Sequence, residues 1–78
     1  MMTAEKIATS NQYVFILRAE GSQGPLREQA YPAEARLTVR DLATRVVVSV
    51  RAREISPYRH TLYLEGQAYR IMNVIRQH

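Results

Sequence analysis

Residues able to do chemistry are few in this chain, and their spacing argues against most kinds of it. The histidines are His60 and His78, and cysteine is absent. Neither histidine has a second ligand at metal spacing, so a structural or exposed imidazole is the better reading. Ser10, Ser22, Ser49 and Ser56 lie in no nucleophile-elbow context, and none has a base and an orienting group nearby in sequence. Gly21-Ser22-Gln23-Gly24 has the look of a phosphate loop, but no Lys-Ser/Thr follows and no helix start is positioned to cradle a phosphate. Glu54 and Glu65 are candidates to face one another across strands, but surface acids in an arginine-rich chain, such as Glu54 beside Arg53, are usually ion pairs worth under about 1 kcal/mol. No catalytic, metal or cofactor-binding residue is assigned, and the expectation is a protein that is not an enzyme.

Aromatic and cationic residues offer binding chemistry instead. Tyr58, Tyr63 and Tyr69, with Arg59 and Arg70 adjacent, have the composition of a platform that stacks single-stranded bases. The plainer reading is cross-strand packing, with Tyr63 and Tyr69 placed across a hairpin by their equal distance from Gly66. Ten arginines and one lysine oppose seven acids, a net charge of +4. A domain this basic can bind nucleic acid through phosphates. Its arginines are dispersed from Arg18 to Arg76, however, and on strands they alternate with apolar residues, which favours a solvated or subunit-facing role.

The elements that would position these groups are mostly strands. From Arg45 to Arg53, Val46, Val48, Val50 and Ala52 share one face, the period of a half-buried strand. Pro57 ends that run, because proline cannot donate to a ladder. His60–Glu65 and Ala68–Ile75 alternate again around Gly66-Gln67, a hairpin in which Leu62, Leu64, Ile71 and Val74 are core candidates and Gly66 supplies the positive φ of a tight turn. Tyr13–Leu17 reads as a strand buried on both faces or at a subunit contact. Glu20–Pro25 is loop punctuation. Residues 33–43 stay open: Leu37 and Val39 alternate as in a strand, whereas Ala35, Val39, Leu42 and Ala43 sit at helical spacing behind Pro32 and Glu34.

Two stretches carry a resemblance. Arg45-Val46-Val47-Val48-Ser49-Val50-Arg51-Ala52-Arg53-Glu54-Ile55 resembles the strand of phage head–tail joining proteins, the adaptor and stopper family, that ends in an Arg-aromatic-Arg stretch and an acidic-Ile step. Leu62-Tyr63-Leu64-Glu65-Gly66-Gln67-Ala68-Tyr69-Arg70-Ile71-Met72-Asn73-Val74 resembles that family's closing hairpin, and Glu28 stands about where members carry a glutamate ahead of a short helix. The likeness covers roughly the C-terminal 35 to 50 residues of the chain. The chain departs from the pattern in being short, in having Ala52 where an aromatic is usual, and in lacking tryptophan.

Together these readings give a mainly β domain, residues 12–78, built as a small antiparallel barrel or sandwich with a C-terminal hairpin, and leaving room for one short helix between residues 26 and 43. Residues 1–11 would be a flexible N-terminal arm. A chain of 78 residues buries only about 60–65% of its unfolded surface, so assembly is an available source of stability. The longest apolar runs fall far below the roughly 20 residues of a bilayer span, and no secretory core opens the sequence, so a cytoplasmically assembled product is expected.

The resemblance implies a virion protein of the head-to-tail interface: a cyclic homo-oligomer that docks on a portal or adaptor protein, receives tail proteins, and surrounds a channel through which genomic DNA passes. Glu20, Gly21, Ser22, Gln23, Gly24, Pro25 and Arg27 would then form the docking or channel loop. Arg45, Arg51 and Arg53 would be interface cations, and Leu64, Gly66, Tyr69, Ile71 and Val74 the structural hairpin. The competing class is a small basic barrel that binds single-stranded nucleic acid directly.

Overall fold

The computed structural model describes residues 12–77, so the expected N-terminal arm and His78 lie outside the described residues. Six strands form one antiparallel sheet: β1 (Gln12–Ala19), β2 (Arg27–Pro32), β3 (Arg36–Asp41), β4 (Val47–Arg51), β5 (His60–Leu64) and β6 (Gln67–Gln77). Their order across the sheet is β2-β1-β6-β5-β3-β4, and the sheet curls into a half-barrel. The mainly antiparallel β class is therefore as expected from the alternation of the sequence.

The core lies on the inner face of the curl. Phe15, Leu17, Val39, Ala52, Ile55, Leu62 and Ile71 are buried, with Tyr13, Tyr31, Leu37, Val50, Leu64, Tyr69 and Val74 packed against them. On β1 this is one face of a period-two strand, Tyr13, Phe15 and Leu17, while Val14 and Ile16 on the other face are only half-buried. The apolar run Tyr13–Leu17 is thus buried on one face, not both. A bulge completes the inner face of β6. The β1–β6 register jumps between Ile16, opposite Asn73, and Leu17, opposite Ile71, leaving Met72 as the extra residue. That insertion is what lets Ile71 and Val74, three positions apart, both turn inward.

Two expectations are corrected, and one neighbour relation departs from chain order. Residues 26–43 hold β2 and β3 and no helix; the helical turn among the described residues is the 3-10 segment η1, Ala52–Glu54. Leu37 and Val39 are committed because β3 is paired on both sides, with β4 and with β5, and that pairing outweighs the local helix-start signal at Pro32 and Glu34. Next, β4 does not lie beside β5: β3 is inserted between them. Finally, Val46 and Val48 do not join the core, since β4 is an edge strand with nothing packed over this corner.

The C-terminal hairpin turns on Glu65 and Gly66, at φ 54° and 80°, the two positive values of a two-residue type I′ turn. Leu62 consequently pairs with Tyr69, and Tyr63 with Ala68. Tyr63 and Tyr69 are not cross-strand partners, because the turn is centred between two residues and not on Gly66. At the other end, Ala52 N–H donates to Ala35 C=O (2.8 Å) and Arg53 N–H to Ala33 C=O (3.1 Å). These bonds tie η1 to the short β2–β3 connection and hold the curl.

Candidate functional site

The β4 edge is the most exposed apolar feature of the sheet. Val46, Val47 and Val48 are 53%, 54% and 38% accessible. The β3–β4 turn that presents them is fixed by Asp41, whose carboxylate accepts Ala43 N–H (2.9 Å), Thr44 N–H (3.1 Å) and Arg59 Nε–H (3.1 Å). Those donors, the Thr44 amide first and the Arg59 side chain next, hold the Asp41 carboxyl below its ordinary range. Arg45 closes the turn at φ 66°, its N–H bonded to Asp41 C=O.

Backbone polarity along β4 follows from one bond. Asp41 N–H donates to Val46 C=O (2.9 Å), so by the alternation of an antiparallel ladder Val48 and Val50 also face β3. The main-chain groups of Val47, Ser49 and Arg51 face outward. Two of them are capped within the chain: Arg36 Nη1 donates to Ser49 C=O (3.1 Å), and Glu54 Oε1 accepts Arg51 N–H (3.3 Å). Left open are both groups of Val47 and the N–H of Ser49. A shallow hollow of about 450 Å³, lined by Thr38, Val47, Tyr63, Glu65 and Gly66, adjoins this opening. The opposite edge, β2, is blunted by Glu28 and terminates at Pro32.

Two of the expected interface arginines have their side chains engaged within the chain. Arg51 and Arg53 both grip Glu34, at 2.9 and 3.3 Å. Arg45 belongs to the turn. The expected docking loop divides in the same way. Glu20 is held to Arg40 at 2.9 Å, and Arg27 lies in β2, outside the loop, where it donates to Tyr69 Oη (2.8 Å) and Gln29 Oε1 (3.2 Å). Gly21 to Pro25 remains as the connecting loop, with Ser22 Oγ accepting Gly24 N–H (2.9 Å). Of the hairpin residues, Ile71 is buried, Leu64, Tyr69 and Val74 are partly buried against the core, and Gly66 is the turn.

The tyrosine platform is not assembled by this register. Tyr69 faces inward beside Leu62 and caps Arg27, whereas Tyr63 faces outward and accepts from Arg40 Nη1 (2.8 Å). Tyr58 projects from the β4–β5 loop, and its neighbour Arg59 is taken by Asp41. His60 is buried; its Nδ1 accepts Ser56 N–H (3.0 Å), and burial pushes its pKa below the usual histidine value. The imidazole thus meets the backbone of Ser56, not its hydroxyl, and locks the turn before β5.

The signal missed in the sequence was the exposure of the valine run, which depends on strand order. In composition the run is a core strand, and composition carries no information about its place in the sheet. Among the described residues, no group of three or more His, Cys, Asp or Glu is placed to hold a metal ion, and no helix is long and apolar enough to cross a membrane. No family model, curated protein or solved structure matches this chain.

Proposed function

We propose that this protein is an assembly module whose open β4 edge docks on a neighbouring subunit, as a structural component of a phage head-to-tail interface. The observation that carries the assembly reading is the apolar, incompletely capped edge Val46–Ser49. Soluble proteins ordinarily blunt such edges with charge, proline or cover, as β2 is blunted here, because an open edge recruits other chains. Leaving it open is consistent with an edge that is used. A contact between β4 and a different surface of the next copy is heterologous, and heterologous contacts close into rings when the rotation allows. The head–tail assignment rests on the resemblance of Arg45–Ile55 and Leu62–Val74. On that reading the ring sits between portal or adaptor and tail, DNA passes through its channel, and Gly21–Pro25 is the segment offered to a neighbour.

The test is made in the virion. Particles assembled without the protein should fill their heads yet fail to retain DNA or to join tails, and cryo-electron microscopy should place the protein in a ring between portal and tail. Infectious particles lacking it, or its location in the capsid shell, would overturn the head–tail reading. Native mass spectrometry of the purified protein tests assembly separately, and a ring built on apolar and main-chain contacts should survive salt that dissociates a phosphate-bound nucleic acid.

A further inference from the structure

On the convex face of the sheet, Arg18 of β1 stands directly opposite Arg70 of β6, and Arg70 is followed across β5 by Thr61 and across β3 by Arg40. Residues paired this way have their Cβ atoms only about 5 Å apart, and like charges so placed repel. Elsewhere the chain relieves such crowding with a carboxylate: Arg36 opposes Arg51, but Arg51 is bound by Glu34 and Glu54. No ion pair involves Arg18 or Arg70 among the described residues. Of the acids around them, Glu20 is neutralised by Arg40 at 2.9 Å, Asp41 is taken by Arg59, and Glu28, diagonal to Arg18 on this face, makes no ion pair with it. In addition, Arg18 Nε is shielded from solvent and has no hydrogen-bond partner, although a buried donor normally finds one.

On the Arg70 side of this pair lies a cavity of about 200 Å³, lined by Arg70, Thr61, His60 and Glu20 with the apolar Leu42, Pro57 and Ile71; Arg18 stands outside its lining. Its polar surface can donate. Thr61 carries a hydroxyl, and a neutral His60 whose Nδ1 is occupied as an acceptor keeps its proton on Nε2. Arg18, Arg40 and Arg70 against Glu20 and Glu28 still leave this face with a surplus of one positive charge. Its size is ample for a compact anion.

We propose that Arg18 and Arg70 form an oxyanion site on the convex face, taking a phosphate-sized group between their guanidiniums with Thr61 beside it. Guanidinium forks match the oxygens of phosphoryl groups in paired hydrogen bonds, and two forks facing one anion remove their mutual repulsion. The group comes either as free inorganic phosphate or as a phosphodiester of a nucleic acid. The site is separate from the β4 edge, which lies in another part of the sheet.

The experiment follows the arginine Nε–H signals of the full chain by NMR at neutral pH while sodium phosphate replaces sodium chloride at constant ionic strength. The Arg18 and Arg70 signals should move together and saturate, with at least tenfold tighter apparent affinity than any movement at Arg36 on the same face. Arg18→Gln and Arg70→Gln should each abolish the saturable response, while Arg36→Gln leaves it intact. A short single-stranded oligonucleotide that moves the same two signals at lower concentration would name the phosphodiester as the source; no tighter response than to phosphate would name the free anion. Signals that stay still in phosphate, or that move equally at all arginines, overturn the site. Because the wild-type protein supplies these signals, the site can be overturned even if a variant fails to fold.

Discussion

Replacing Val47 by lysine separates the folding of this domain from its assembly. Val47 is a little over half exposed and its main-chain groups face outward, so in the isolated subunit the substitution touches little. Surface changes of this kind usually stay within about 0.5 kcal/mol, with up to about 1 kcal/mol available from the lower strand propensity of lysine. In an assembled edge the arithmetic differs. Full burial of a valine is worth at least about 1.5 kcal/mol, and roughly half of that remains to be gained at Val47 when a neighbour covers it. Adding the desolvation of an ammonium group, the loss per contact should reach about 1–2 kcal/mol, or roughly a 5- to 30-fold weaker association. Urea denaturation should show a midpoint close to wild type with an unchanged slope, while sedimentation velocity shows the assembled species lost at concentrations where wild type retains it. Assembly unaffected by Val47→Lys would refute the role given to β4. A monomer destabilised by more than about 1.5 kcal/mol would show that the edge is not the free surface described here.

Gly66→Val should destabilise the fold by more than about 1 kcal/mol in urea titrations, wholly through backbone strain, since φ is 80° and nothing lies within 4 Å of an added Cβ. Leu62→Ala, at a fully buried position, should cost about 2–5 kcal/mol, a large part of the roughly 4–12 kcal/mol expected for a domain of this size; an unchanged thermal midpoint would remove Leu62 from the core. Stability should fall on acidification in two stages. His60 has a depressed folded pKa, so its contribution is complete above the unfolded value of 6.5 and declines below it, as the unfolded chain takes up the proton first. Asp41, also depressed, contributes fully above 3.8 and is lost as pH falls further; His60→Gln should remove the first stage and leave the second. Deleting Gly21–Pro25 should spare the folded domain, by circular dichroism, while impairing docking in particle assembly, because loop tips tolerate change.

Much of the fold was legible because alternation is a local signal. Leu62 and Leu64 announced their strand by period, Phe15 and Leu17 only as part of a continuous apolar run that concealed which face is buried, and Gly66 announced the hairpin. The register was harder, since locating the turn on Glu65-Gly66 requires knowing that Glu65 also takes positive φ. Residues 33–43 were ambiguous because Leu37 and Val39 fit either pattern until β4 and β5 pair with them. The partners of Arg51 and Arg53 were hidden for a related reason: Glu34 meets them only after the β2–β3 connection is drawn against η1. The β4 edge was invisible because no local pattern says whether a valine strand will be central or last in a sheet.

Strand β6 has a consequence for how the molecule comes into being. Among the described residues it is the one strand that joins, by ladder pairing, two groups of strands, β2-β1 on one side and β5-β3-β4 on the other. During synthesis, β1 emerges first and can form only its hairpin with β2, while β3 and β4 form theirs separately. Neither group can bury its inner face until β6, the last strand made, slides between β1 and β5. A nascent or C-terminally truncated chain therefore holds two half-sheets with raw edges on both, in addition to the valine edge that the finished domain keeps. Pairing residues as distant as Gln12 and Gln77 also makes the last step a long-range one, slow compared with hairpin closure. Loss of the last few residues would only shorten the β1–β6 pairing, which persists from Tyr69 to Asn73, whereas loss of most of β6 would uncouple the two halves and leave open edges where aggregation begins.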